Sequence, residues 1–292
     1  MIRFSEVIQG PATVTEKNLQ KRLYAFRPQP QWSDLWKAPF HDFPVRDEIL
    51  CQYLTLTPGM DVLEIGPGSG YTAFWLARQV RHLTLLDASN QALAEVRRLL
   101  TNNPNISYQE WDLSQPGLAD KLGRTFDAVY GLDVFEYVSN PKTSVLNLAE
   151  VLHPGGEILL TFPNSPPPIG DAVTYFSHPG DIELLLEEAG FQEWKIFTIS
   201  LRPWAGALHR ALHDRPLEYY RSLRKTNGAG LPQIYEQTWA FQNRRGLHRL
   251  KVPLNLYWAL LRKILLLRGD VFAEEPNGGE LLGRRLVIWA QK

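Results

Sequence analysis

Between residues 45 and 201, short apolar runs alternate with segments whose apolar residues recur at helical spacing. An apolar run of about four to eight residues is typical of a strand buried on both faces, and the helical spacing is typical of an amphipathic helix. Their alternation predicts a parallel sheet with helices on both faces. Strands are predicted at 61–66, 82–87, 106–112, 126–133, 157–163 and 191–201, and helices at 45–54, 71–80, 90–103, 142–152 and 181–190.

The alternation stops after residue 201. Residues 202–283 consist of pieces with helical spacing, separated by glycine and proline turns, and no strand is predicted among them. RRLVIWAQ (284–291) is again strand-like. We therefore expect one α/β domain over 45–201 and 284–292, with 202–283 inserted before its last strand as a helical block.

The first 44 residues differ in amino-acid composition from both parts. Prolines and aromatic side chains are interleaved there, as in RPQPQW and WKAPFHDFP. Such a segment is too apolar for a disordered tail, since disordered segments are poor in aromatic residues. We expect residues 1–44 to be a cap segment that packs on the rest of the protein.

Composition and charge exclude several classes of protein. Hydrophobic residues make up 44% and charged residues 21% of the chain, and 31 basic residues balance 31 acidic ones. A neutral chain has no overall basic field, so no nucleic-acid partner is expected. Cys51 is the single cysteine, which excludes a disulfide within this chain, and no Cys/His zinc spacing occurs. No stretch resembles a signal peptide or a membrane span, so a cytoplasmic protein is expected.

The most informative turn follows the predicted strand at 61–66. It reads GPGSG (66–70), with glycine at alternate positions, and a predicted helix follows. Glycine lets the backbone approach a ligand closely and adopt positive φ, and a helix start presents free N–H groups. Because ligands of open α/β sheets bind at the carboxyl ends of the strands, this turn is a predicted ligand site. The alternative is an ordinary tight turn between a strand and a helix.

Acidic residues close the next two predicted strands. Asp87 ends the second strand, where a carboxylate can accept hydrogen bonds from ribose hydroxyls; its alternative role is an N-cap. Asp112 ends the third strand and could accept from an adenine amine, with Trp111 or Leu113 against the ring. Trp111 in the core is the alternative. The glycine turn contains no lysine or arginine, which favours a cationic, phosphate-free nucleoside over a phosphate ligand.

These motifs together resemble the class I S-adenosylmethionine-dependent methyltransferases. VLEIGPGSG resembles their first motif, LLDAS their second, and QEWD their adenine-side acidic motif. FDAVYGLDVFEYV followed by LHPGGEILLTFPN resembles the branch that includes the ubiquinone-biosynthesis O-methyltransferases. The resemblance implies a doubly wound, Rossmann-like α/β fold with a seven-stranded, mostly parallel sheet. Its last strand would be reversed, here 284–291, and paired with 191–201.

The resemblance also implies S-adenosyl-L-methionine as cofactor and assigns its contacts. Glu64 orders the glycine turn, which flanks the methionine part, while Asp87 binds the ribose and Asp112 the adenine. The stretch from Gly131 to Asp133 lines the sulfonium region. The expected cofactor residues are Glu64, Gly66, Pro67, Gly68, Gly70, Asp87, Ala88, Trp111, Asp112, Leu113, Gly131 and Asp133.

Four residues are candidates for removing a proton from the methyl acceptor: His178, Asp133, Glu136 and His41. A neutral imidazole suits a general base near neutral pH, and His178 lies just before a predicted helix on the strand-end side. Its alternative role is capping or packing. Tyr137 stands where the ubiquinone branch has a histidine that can bind a divalent ion, so no metal is expected.

The acceptor itself is only loosely constrained. A small or lipid-like metabolite with a hydroxyl or an amine is expected, bound beside 1–44 and 202–283. The apolar stretch 252–267 is expected to be a core helix, and its second interpretation is a lid touching a lipophilic substrate or a membrane surface. The alternatives are a protein or nucleic-acid methyltransferase, a binding protein without activity, and a nucleotide-dependent oxidoreductase. The GxGxG spacing, in place of GxGxxG, counts against the last of these.

Overall fold

The computed structural model describes most of the α/β part of the chain. The described residues are 48–68, 70–100, 103–164, 174–211, 272–275 and 284–292. They fall into two compact units. The first holds the described residues up to 198 and from 284 onward, and the second holds 199–211 and 272–275. The expected cap, 1–44, and most of the expected helical block lie outside the described residues.

Eight described strands form one sheet in the order β3-β2-β1-β4-β5-β8-β6-β7. The pairs β1–β2, β2–β3, β1–β4 and β4–β5 are parallel, and β8 runs antiparallel to β5. Because the strand order reverses between β1 and β4, their carboxyl ends form the switch point at which such sheets bind ligands. Strands β1 to β8 span Asp61–Ile65, His82–Asp87, Ile106–Glu110, Phe126–Leu132, Leu152–Asn164, Glu193–Leu201, Phe272–Glu275 and Arg284–Gln291.

Seven described α-helices and a 3-10 turn connect these strands. The side chains of Ser89 and Asn140 accept backbone N–H groups in the first turns of α3 and α5, and proline occupies the first turn of α5, α6 and α7. Helices α1 to α7 span Glu48–Tyr53, Tyr71–Leu76, Asn90–Leu99, Leu118–Leu122, Pro141–Glu150, Pro179–Glu188 and Pro203–His209, and the 3-10 turn spans Phe135–Tyr137.

The register of the central strands brings their carboxyl ends to one edge. Residues 62–65 of β1 are all buried, as expected for a strand covered by helices on both faces. Ile65 pairs with Leu86 of β2 and with Gly131 of β4. The glycine turn and Asp87 therefore lie at the same edge of the sheet as the residues that follow β4.

The expected fold class is confirmed. The seven strands predicted from the sequence all form, the sheet is mostly parallel, and the last strand is reversed and lies between β5 and β6. The strand-like stretch 284–291 forms over the predicted bounds, and α7 confirms a helix at the start of the inserted block.

Other local predictions were wrong. Strand β7 lies within 202–283, where only helices were expected, because four residues are too few to show a period. Helix α4, flanked by Gly117 and Gly123, was missed for the same reason. The stretch 153–156 was left outside the predicted helix 142–152 and the predicted strand 157–163 but lies within β5. Phe126 of β4 pairs with Leu152 of β5, and Ala128 pairs with Glu157. Between these two pairs β4 advances by two residues and β5 by five, so the stretch forms a bulge.

None of the helices in the described ranges has the length and hydropathy needed to cross a bilayer.

Candidate active site at the strand ends

The glycine turn after β1 is fixed by backbone hydrogen bonds. Gly66 N–H donates to the Leu86 carbonyl at 2.8 Å, and Gly70 N–H donates to the Pro67 carbonyl at 2.8 Å. Pro67 is buried. Glu64, expected to order this turn, is buried in β1 with 4% of its surface exposed.

The three glycines of the turn have different surroundings. Their φ angles are 61°, 53° and 73°, a region that favours glycine. A Cβ at Gly66 would lie 2.9 Å from Val134 Cβ, and one at Gly70 would lie 2.9 Å from Val96 Cγ1. A Cβ at Gly68 would meet nothing closer than Gly66 O at 4.0 Å. Gly66 and Gly70 are therefore needed for packing, whereas the exposed Gly68 is the part of the turn open to a ligand.

Asp87 ends β2, and one of its two carboxylate oxygens accepts a hydrogen bond from the backbone. Its Oδ1 accepts the Ser89 N–H at 2.8 Å, and within the described part of the chain no hydrogen bond reaches Oδ2. Ser89, not Asp87, is the N-cap of α3, so the capping alternative is wrong. Burial raises the pKa of the Asp87 carboxyl, and the Ser89 N–H partly opposes that shift. Ala88 is exposed beside it.

The expected adenine-side residues form a loop after β3. Trp111 N–H donates to the Asp87 carbonyl at 3.0 Å, which joins this loop to the end of β2. Asp112 is exposed, and its Oδ1 accepts the Ser114 N–H at 2.9 Å. The Leu113 side chain is 5% exposed and belongs to the hydrophobic core, and half-buried Trp111 packs against that core.

A buried asparagine that the sequence analysis missed holds this loop. Asn147 of α5 is 2% exposed, and its Nδ2 donates to the carbonyls of Leu113 at 2.9 Å and Gln115 at 2.7 Å. Its Oδ1 accepts the Leu118 N–H at 3.3 Å. Asn147 thus satisfies three backbone groups of the segment that begins at Asp112.

The turn after β4 is strained and closely packed. Asp133 has φ 56°, the only positive φ of a non-glycine residue in the described ranges. Its N–H donates to the Thr161 carbonyl at 2.6 Å. The next side chain, Val134, fills the space beside two glycines, since a Cβ at Gly66 or Gly131 would overlap it. The turn after β4 is thus interlocked with the glycine turn.

Asp133 forms an ion pair that the sequence did not reveal. Its carboxylate accepts from the guanidinium of Arg285 at the start of β8, and both side chains are partly exposed. The two residues are 152 positions apart, and the pair depends on β8 entering the sheet next to β5. No sequence signal could have linked them.

Glu136, one of the candidate bases, and Tyr137 lie in the 3-10 turn that follows Asp133. Glu136 is 3% exposed, so its carboxylate is buried, whereas Tyr137 is 52% exposed. Across the part of the chain that the structure describes, no three His, Cys, Asp or Glu side chains cluster in a way that could hold a metal ion.

His178 lies exposed at the N-terminus of α6, where its backbone is the N-cap. Its N–H donates to Asp181 Oδ2 at 3.4 Å. The segment before it is anchored to the end of β5: Phe176 N–H donates to Asn164 Oδ1 at 2.8 Å, and Asn164 Nδ2 donates to the Phe176 carbonyl at 2.6 Å. This anchor places His178 on the strand-end side, as expected. His41 lies outside the described residues.

Comparison with known proteins agrees with this geometry. Residues 63–160 match the family described as a methyltransferase domain. The chain carries a class I S-adenosylmethionine-dependent methyltransferase domain. The matched residues run from β1 into β5 and contain the glycine turn, Asp87, Asp112 and Asp133.

Curated proteins similar to this chain include ubiquinone biosynthesis O-methyltransferases. The protein from Alkalilimnicola ehrlichii is 33% identical over 132 residues, which cover 44% of this chain and 52% of the relative. The protein from Dechloromonas aromatica is 30% identical over 131 residues, which cover 44% and 55%. The chain spans about half the length of the curated relatives that it matches.

A solved structure of low sequence identity shares the fold. Haemonchus contortus phosphoethanolamine N-methyltransferase 2, in complex with phosphomonomethylethanolamine and S-adenosylhomocysteine, aligns with a TM-score of 0.52 at 15% identity, covering 94% of this chain and 58% of that chain. This likeness shows the fold alone.

Proposed function

We propose that this methyltransferase transfers the methyl group of S-adenosylmethionine to a hydroxyl or amine of a small or lipid-like metabolite. The observation that carries the proposal is the open backbone of Gly68 at the same sheet edge as the carboxylate of Asp87. The curated relatives named O-methyltransferases support a hydroxyl acceptor over an amine.

The residues of the site fit a cationic nucleoside cofactor. The space at Gly68 would be filled by any Cβ, and Asp87 has Oδ2 available for a ribose hydroxyl while Ser89 holds Oδ1. Asp112 is exposed for the adenine amine, and the small side chain of Ala88 is exposed next to Asp87 in the chain. When bound, S-adenosylmethionine supplies a methyl group already activated by its sulfonium charge.

The chain's own contribution would then be to hold the acceptor in line with that methyl group and to remove its proton. Correct placement alone removes much of the barrier of a two-substrate reaction. Of the candidate bases, the Glu136 carboxylate is buried and the Asp133 carboxylate is ion-paired with Arg285. His178 offers an exposed imidazole, so we assign the hydroxyl proton to His178.

Product formation tests the proposal. Wild-type protein, S-adenosylmethionine labelled with a trideuteromethyl group and a metabolite extract are incubated together, and mass spectrometry searches for metabolites that gain the label. The expected result is a labelled small molecule whose mass shift corresponds to one trideuteromethyl group in place of one hydrogen. Gly68→Val should abolish labelling, because its side chain would occupy the cofactor space.

A matched control separates this loss from a general effect of substitution. Glu150 is exposed at the end of α5, at the edge of the sheet opposite the glycine turn, so Glu150→Ala should label normally. Failure of wild type to label any metabolite, or equal labelling by Gly68→Val, would contradict the proposed function.

A further inference from the structure

The ion pair between Asp133 and Arg285 lies at the strand-end edge of the sheet, because Asp133 follows β4 and Arg285 pairs with Pro163 near the end of β5. The side chains are 23% and 30% exposed, so the pair is partly shielded from water. Arg285 stands outside the family match at 63–160. The ion pair therefore adds a positive charge at the strand ends that the expected cofactor contacts do not include.

The strand order determines which member of the pair is nearer to the glycine turn. Strand β4, which Asp133 follows, is adjacent to β1, whereas β8 is separated from β4 by β5. With neighbouring strands about 4.8 Å apart, the backbone of Arg285 lies roughly three strand spacings from β1. The contact of Val134 with Gly66 also holds the Asp133 turn against the glycine turn. The negative member is thus nearer to the cofactor loop, and the positive member is farther away.

The backbone fixes the carboxylate in this place. Asp133 has φ 56°, a region that non-glycine residues adopt only where the surroundings impose it, and its N–H donates to the Thr161 carbonyl at 2.6 Å. Residues held in such conformations concentrate at ligand sites. Asparagine and aspartate tolerate this region better than most residues, so Asp133→Asn can keep the turn.

We propose that the Asp133–Arg285 pair sets the preference of the site for the positively charged sulfonium cofactor over its neutral thioether product. Asp133 attracts the sulfonium charge, and Arg285 opposes that attraction while positioning the carboxylate. This inference rests on the proposed function. S-adenosylmethionine and S-adenosylhomocysteine differ by one methyl group and one positive charge, so a nearby charge is what can distinguish them.

Pairing the carboxylate has a physical advantage. The positive charge on sulfur is lost as the methyl group leaves, so a bare carboxylate would stabilise the starting state more than the transition state and slow transfer. A carboxylate balanced by a guanidinium still favours loading of the charged cofactor, with a smaller penalty in rate. Arg285 is therefore a positioning and specificity residue.

Calorimetry with the two purified ligands tests the pair without any methyl acceptor. The quantity of interest is the Kd of S-adenosylhomocysteine divided by the Kd of S-adenosylmethionine. Asp133→Asn should lower this ratio about fivefold, the effect of one charge several ångströms away in a partly hydrated site. Arg285→Met should raise the ratio, by a smaller factor because Arg285 is farther from the cofactor loop. Raised salt should shrink both effects through screening.

Two matched variants sharpen the result. Arg285→Lys keeps the charge and should leave the ratio close to that of wild type. Asp112→Asn removes a carboxylate from the part of the site that both ligands share, so it should weaken both and leave the ratio unchanged. If neither ligand binds to wild type, the proposed function fails and this inference with it. If both ligands bind but the ratio is unchanged in Asp133→Asn, or moves in the same direction in Asp133→Asn and Arg285→Met, the inference alone is overturned.

Discussion

At the scale of single residues, Asp87 shows a conflict between binding and stability. Its pKa is raised by burial, which means that the folded chain disfavours the charged carboxylate relative to the unfolded chain. A group with a raised folded-state pKa stabilises the fold only where it is protonated, and this contribution is lost as pH rises through the folded pKa. The ionised form of Asp87 therefore destabilises the cofactor-free protein.

Asp87→Asn should relieve this cost. Asparagine keeps an oxygen for the Ser89 N–H but carries no charge, so the cofactor-free variant should unfold at a higher temperature than wild type at pH 7. The difference should vanish as pH falls below the ordinary value of 3.8, where the carboxyl is protonated in both states. Thermal unfolding across this pH range measures it. A variant less stable than wild type at pH 7 would show that the burial of Asp87 carries no such penalty.

His178 can be tested by separating its two possible roles. His178→Ser keeps an N-cap for α6 but removes the imidazole. If the imidazole accepts the hydroxyl proton, kcat with the acceptor found by labelling should fall by about 10²–10⁴ while affinity for the cofactor stays the same. Ser177→Ala, a change in the exposed neighbouring residue, serves as the control. A loss below tenfold in His178→Ser would assign His178 to capping.

At the scale of elements, the glycine turn and the turn after β4 form one interlocked unit. Val134 occupies space that exists because Gly66 and Gly131 lack a Cβ, and this contact fixes the separation of two strand ends. Gly68 in the same turn contacts nothing comparable. Gly66 and Gly68, two positions apart in one turn, thus differ: Gly66 is needed for packing, and Gly68 is proposed to face the cofactor.

A double-mutant cycle tests this interlock. Gly66→Ala should lower the free energy of unfolding by about 1–2 kcal/mol for a side chain at positive φ, with a further ~1–3 kcal/mol from overlap with Val134. Gly68→Ala should show only the first of these effects. Val134→Ala removes both γ-methyl groups but keeps Cβ, so it should relieve part of the overlap, and the double variant Gly66→Ala/Val134→Ala should be more stable than the sum of the single changes predicts. Additive effects in urea unfolding would show that the two turns are not coupled.

At the scale of the whole molecule, the sequence was informative where local pattern and function coincide. The buried run of β1 and the glycines after it predicted the strand and the tight turn that lie at the switch point, because adjacent residues carry both signals. Binding of the cofactor by this turn stays a prediction. The predicted strand 284–291 was also found, since alternating and continuous apolar runs do not depend on partners.

Features defined by distant partners were not predictable. Asn147 resembles an ordinary polar residue within a helix until its contacts with the backbone of the loop after β3 are known. The role of Arg285 depends on its ion pair with Asp133, 152 positions away. Strand β7 was not predictable without the sheet at whose edge it lies. Short elements and long-range polar contacts carry no periodic signal, so a structure is needed to find them.

The central claim is that the strand-end edge of this sheet binds S-adenosylmethionine through the glycine turn and Asp87, and one calorimetric titration tests it most directly. Wild type and Glu150→Ala should bind S-adenosylmethionine at one saturable site with equal affinity. Asp87→Ala should bind about 1–3 kcal/mol more weakly, because the ribose hydroxyls lose a buried acceptor. Absence of saturable binding in wild type, or unchanged affinity in folded Asp87→Ala, would contradict the account.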